Sequence, residues 1–172
     1  MLVDWTAFLK HLESTPSGSR YAGIGARETP ADVCLLMTRV ATKLARRGMI
    51  LRSGGARGAD AAFEAGVSDP NFKEIYLPWK GFAGNSSTRC GVTDEARRLA
   101  EQFHPRWSSL RPAAQLLVAR NGFQVLGADL QSPSAFVLCW TKNGEAVGGT
   151  GQAIRIALAR NIPVFNLFDM FR

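Results

Sequence analysis

Met49-Ile50-Leu51-Arg52-Ser53-Gly54-Gly55-Ala56-Arg57-Gly58-Ala59-Asp60 runs from an apolar segment through a glycine-rich turn into a helical stretch, Ala59 to Ala65. Strand, tight loop and helix in that order form the repeating unit of open α/β sheets. The loop also reads as an anion site. Backbone N–H groups at a helix start are free to face a phosphate, glycine removes the Cβ that would hold a ligand off, and arginine offers parallel donors. Ser53, Gly54, Gly55, Arg57, Gly58 and Asp60 are therefore candidate ligand-binding residues, with Arg52 as a second source of charge. The loop lacks the Gly-Lys-Ser/Thr ending of a P-loop, which argues against ATP hydrolysis of that kind.

Working outward, the same unit recurs. Trp5, Phe8, Leu9 and Leu12 make an amphipathic first helix with Asp4 as its cap, ended by Thr15-Pro16-Ser17-Gly18. Tyr21 to Gly25 is the first strand, and Thr29-Pro30-Ala31-Asp32 opens a helix with an N-cap and a proline at its first position, running to about Arg47. Met49 to Leu51 is the second strand and Lys73 to Leu77 the third, stopped by Pro78. Residues 79–92 have no periodicity and read as a long functional loop. Helices are expected over 93–103 and 109–121, a fourth strand over Ala135 to Trp140, a glycine loop at 144–151, a helix at 152–160 and a fifth strand at Pro163 to Phe165.

Apolar strands without polar alternation call for a parallel sheet covered on both faces. Right-handed crossovers then give one Rossmann-like doubly wound α/β domain over residues 1–172, with about five strands in the order 3-2-1-4-5 and residues 1–19 as an N-terminal helix packed on it. In that arrangement the loops at 25–29, 53–58 and 141–151 meet at the switch point, where ligands bind.

Composition narrows the ligand class only by sign. A net charge of +7 suits nucleotides, nucleic acid or a phosphorylated metabolite. The basic residues occur singly or as pairs such as Arg46-Arg47, without the dense run of a nucleic-acid tail. Cys34, Cys90 and Cys139 are an odd number, widely spaced, and imply neither a disulfide framework nor a metal site. Residues 1–19 intersperse Asp4, Lys10, His11 and Glu13 among apolar positions, so the expectation is a cytoplasmic protein with no membrane partner.

Two further segments carry chemistry. Gly23-Ile24-Gly25-Ala26-Arg27 opens like a dinucleotide fingerprint, with Gly23, Gly25, Ala26 and Arg27 as candidate ligand contacts, but Glu28 stands at the third glycine and no acidic residue closes the second strand. Gly148-Gly149-Thr150-Gly151-Gln152 before a helix is a second anion cradle, with Thr141 at the end of the fourth strand beside it. Asp60 and Glu64 share a helix face one turn apart, so Glu64, Asp60 and Glu28 are the acid–base candidates; a polar helix surface is the competing reading. Trp79, after a strand end, is a candidate to stack on a base.

On Gly23 to Pro30, Arg52 to Glu64, Glu74 to Trp79, and Phe136 to Trp140 with Gly148 to Ala153, the chain resembles the SLOG superfamily of Rossmann-like nucleotide-binding domains, most of all its DprA/Smf-like branch and small phage-encoded proteins of that type. The resemblance implies a nucleotide or NAD-derived ligand held in a glycine-rich crevice, with no cofactor required. A phage protein sequestering a host defence signal, in the host cytoplasm and as a homodimer or higher oligomer, is one such use. The phosphoribohydrolase branch has a glutamate where this chain has Arg155, which turns the expectation toward binding rather than N-glycosidic cleavage of a nucleoside monophosphate. Single-stranded DNA binding through arginines such as Arg46 and Arg47 is the third implication.

Overall fold

The computed structural model describes residues 5–169. Its elements are α1 (Trp5–Ser14), β1 (Arg20–Gly25), α2 (Ala31–Arg46), β2 (Ile50–Ser53), α3 (Ala59–Ala65), β3 (Lys73–Ile75), α4 (Asp94–Phe103), α5 (Pro112–Leu126), β4 (Val137–Trp140), α6 (Gly148–Ala159) and β5 (Val164–Asn166). The strands form one parallel sheet in the order β3-β2-β1-β4-β5, as the sequence predicts. The Asp4 cap lies outside the described residues.

Alternation along the strands divides the core in two. Tyr21, Leu51, Ile75, Phe136, Leu138 and Phe165 face α1, α2 and α3, whereas Ala22, Ile24, Val137 and Cys139 face α4, α5 and α6. Gly23 belongs to the first layer: a Cβ there would stand 2.7 Å from both Leu51 and Phe63, so this glycine lets α3 close on the sheet. The N-terminal helix seals one end, with Phe8 edge-on to Phe136 and Phe165 at 5.6 and 5.0 Å. Arg47 donates to the Leu12 carbonyl at 3.0 Å and His11 lies 3.1 Å from the Ala135 carbonyl, so both help dock that helix.

Several boundaries move. The second strand continues through Arg52 and Ser53, which are buried rather than in the loop. Arg52 donates to Glu74 Oε2 at 2.8 Å and to the Ser132 carbonyl at 2.6 Å, which ties β2 to β3 and to the approach to β4 and leaves its guanidinium unable to serve a ligand. Pro30 takes the cap position of α2 because the Thr29 hydroxyl donates instead to the Ala26 carbonyl at 2.7 Å. The last helix starts at Gly148, so Gly148 to Thr150 form its first turn instead of a preceding loop, and α5 extends five residues past 121 to Leu126. None of the helices among the described residues is long and apolar enough to cross a membrane.

Candidate functional site

A cleft of about 470 Å³ opens at the carboxyl ends of β1 and β4, where the strand order reverses. Of the residues singled out in the sequence, Gly25, Ala26, Arg27, Glu28, Asp60, Thr141, Gly148, Gly149 and Thr150 line it. The wall opposite comes from α5, through Leu117, Val118, Arg120, Asn121 and Gln124.

The glycine loop at 53–58 plays a different part from the one its sequence suggests. Asp60, on the first turn of α3, is only 4% exposed and lines the cleft beside the loop, accepting from the Ala56 N–H at 3.4 Å, with the Gly54 and Gly25 backbone favouring its charged form. One donor of the cradle, the Ala56 N–H, therefore already serves an anion that is part of the chain. Burial pushes the Asp60 carboxyl up to about 6, against the pull of Arg120 and those three backbone groups. Arg120 is the matching buried cation: burial lowers its pKa, Asp60 raises it and Arg27 lowers it further. Its guanidinium donates to the carbonyls of Gly54 and Tyr76, the latter at 3.1 Å, so it holds the loop onto α5.

The α6 cradle is open. Its first turn has no side-chain cap, and among the described residues the N–H groups of Gly148, Gly149 and Thr150 have no partner, while that of Gly151 already donates to the Val147 carbonyl at 2.9 Å. Asn121 Nδ2 donates to the Gly149 carbonyl at 2.9 Å and fixes the turn against α5. Thr141 is held by Asn166, which donates to its Oγ1 at 2.6 Å, and Lys142 follows it at the exposed rim.

The remaining candidates lie elsewhere. Ser53 donates to the Gly23 carbonyl at 2.6 Å inside the sheet, while Gly54, Gly55 and Gly58 shape the loop without lining the cleft. Arg57 is exposed outside it. Glu64 accepts from Asn85 Nδ2 at 2.8 Å and lies 3.8 Å from Lys73, so it supports the 79–92 loop rather than joining Asp60. Trp79 sits edge-on to Phe82 at 5.2 Å and away from the cleft. Gly151 and Gln152 are buried beneath the α6 turn. Arg155 donates to the carbonyls of Phe103 and Ala146 at 2.9 and 3.0 Å, a structural post at the position where the hydrolase pattern has its glutamate. No group of three or more His, Cys, Asp and Glu residues among the described residues is placed to hold a metal ion.

Arg120, Asn121 and Gln124 escaped the sequence reading because that helix was followed only by its apolar stripe. The signal was present: Arg120 and Gln124 are one turn apart, directly after Leu116 to Ala119, where a polar pair on a buried helix needs partners.

No protein-family model matches the chain, and no curated protein matches it. Among solved structures it is similar to DNA processing protein A from Helicobacter pylori, a structure described for a unique single-stranded DNA binding mode, with 17% identity, a TM-score of 0.57, and coverage of 91% of this chain and 67% of that one. The likeness supports a fold like that of DNA processing protein A, and the wider superfamily resemblance rests on the sequence motifs.

Proposed function

We propose that this chain binds an anionic, nucleotide-type ligand in the cleft between β1, β4, α5 and the start of α6. The observation that carries the reading is the start of α6. Gly148, Gly149 and Thr150 line the cleft, and among the described residues their N–H groups have no partner. A helix start with free amides favours a phosphate or carboxylate, and Arg27 and Lys142 add positive charge along the rim. A cleft of about 470 Å³ is within the range of small-molecule sites, and an NAD-derived nucleotide belongs to the same chemical class. Mass spectrometry of small molecules released from the purified protein, followed by calorimetric titration with mono- and dinucleotides, tests the reading. A bound nucleotide with a Kd of about 10 μM or tighter is expected. A protein that carries nothing and ignores every nucleotide at about 1 mM overturns it.

A second reading, binding of single-stranded DNA, is favoured by the likeness to DNA processing protein A together with the net charge of +7. It draws on Arg27 and Arg57, both exposed on loops that touch where Gly58 packs against the Arg27 backbone. Fluorescence anisotropy of a labelled single strand across a salt series tests it. Affinity that falls steeply with salt supports the reading, and no binding at low salt excludes it.

A further inference from the structure

Gln124 lines the cleft with a side-chain amide that nothing among the described residues engages. It is 2% exposed, and its backbone carbonyl accepts from Ser134. Its neighbours on the helix are fully engaged: Arg120 with the Gly54 and Tyr76 carbonyls, Asn121 with the Gly149 carbonyl. Its amide atoms, unpartnered but reached from the cleft, are placed to hydrogen-bond a molecule that enters it.

The surroundings define that molecule. Gly54 packs behind the cleft wall beside both Gln124 and Asp60: a Cβ there would come within 2.6 Å of Gln124 Nε2, and its backbone favours the charged form of Asp60. Ile24, Leu117 and Val118 add aliphatic walls. An apolar slot ending in an amide and a carboxylate suits a flat ring that is apolar on its faces and hydrogen-bonding on one edge.

We propose that Gln124 and Asp60 form a base-reading subsite, in which a nucleobase slides between the aliphatic walls and donates an exocyclic amino group to Asp60 while Gln124 pairs with the adjacent ring nitrogen or carbonyl. Adenine, cytosine and guanine meet that description, and uracil, without an amino group, does not. The inference rests on the nucleotide reading of the cleft and adds what selects the base.

The test titrates wild type and Gln124→Leu with AMP, CMP, GMP, UMP and ribose 5-phosphate. Wild type should bind the best amino-bearing nucleotide about tenfold tighter than UMP or ribose 5-phosphate, the worth of one or two hydrogen bonds that leave no buried group unpaired. Gln124→Leu should lose about tenfold for that nucleotide, hold ribose 5-phosphate within about twofold, and keep its melting temperature, since the amide supports nothing in the fold. In wild type the Gln124 side-chain NH2 resonances should shift on adding that nucleotide, a readout that needs no variant. Tetranucleotides of single base composition, run alongside, show whether the base arrives free or on a strand, and the same preference in either form supports the subsite. Nucleotides bound without base preference, an unchanged Gln124→Leu profile, or unmoved Gln124 resonances overturn it while leaving the nucleotide reading standing. Failure of wild type to bind any of the probes removes both.

Discussion

Replacing Glu74 by Gln should destabilise this protein without weakening ligand binding. Glu74 sits at the centre of a buried cluster, accepting from Arg20 Nε at 2.9 Å, Arg52 Nε at 2.8 Å and the Tyr76 hydroxyl at 2.9 Å. Burial alone would raise its pKa, but the hydrogen bonds and charge of Arg52 and Arg20 win and bring it from an ordinary 4.5 down to about 2. That shift corresponds to a ceiling of about 3 kcal/mol in favour of the ionised, folded state. The Arg20 side of the cluster is 44% exposed, and solvent screening there reduces the expected contribution to about 2 kcal/mol. Arg52 is 3% exposed, so the glutamine also leaves a buried guanidinium without a counter-charge, adding roughly 1 kcal/mol or more. Urea unfolding at pH 7 should therefore place Glu74→Gln about 3 kcal/mol below wild type. The pH dependence is the sharper check. Because the folded pKa is depressed, the stabilisation is complete above about 4.5 and fades as pH falls toward about 2, so the gap between the proteins should narrow between about pH 4.5 and about pH 2. Equal midpoints at pH 7, or a gap that stays constant through that window, would refute the account of Arg52 as a structural rather than a ligand-binding arginine.

Tyr21→Phe should be neutral or stabilising by up to about 1 kcal/mol in thermal or urea unfolding, because the buried Tyr21 hydroxyl has no hydrogen-bond partner among the described residues. Asp60 acts in the opposite sense to Glu74. Its folded pKa is raised from 3.8 to about 6, so the fold holds the proton more tightly than the unfolded chain and loses up to about 3 kcal/mol as pH rises across that interval, a slope that Asp60→Asn should abolish. Arg27→Ala with Lys142→Ala should weaken an anionic ligand about tenfold while leaving unfolding midpoints within about 0.5 kcal/mol, since both are exposed at the cleft rim; calorimetry and urea titration read the two effects separately. Removing the charges of Arg46 and Arg47 should leave single-strand affinity unchanged at fixed salt, because α2 ends beside the amino ends of β1 and β2, the opposite end of the strands from the cleft; the Arg47 change should instead lower stability by about 1 kcal/mol through loss of its bond to Leu12.

The architecture was legible because it rests on local patterns. Apolar runs such as Phe136 to Trp140, separated by helical stretches and punctuated by Gly48, Pro78 and the glycine loops, admit few arrangements other than a right-handed parallel sheet, and the order 3-2-1-4-5 is the one observed. Eight of the candidate ligand residues line the cleft for the same reason: residues that follow strand ends must meet at the switch point. Element ends were less legible, since whether Arg52 belongs to a strand or a loop depends on Glu74, twenty-two residues away.

By itself, then, the sequence determined the fold, the position of the cleft at the switch point and the presence of two glycine-rich turns, because hydrophobic period and turn chemistry act over short stretches of chain. Which glycine turn lines the cleft was decided only in three dimensions. The loop at 53–58 gives its Ala56 N–H to Asp60 and keeps its glycines off the cleft, whereas Gly148, Gly149 and Thr150 line it. Composition could not reveal this, because a glycine-rich loop looks the same whether its N–H groups meet a ligand or a carboxylate of the same chain. Only the packing of α5, which buries Arg120 against that loop and leaves Gln124 facing the cleft, distinguishes the two.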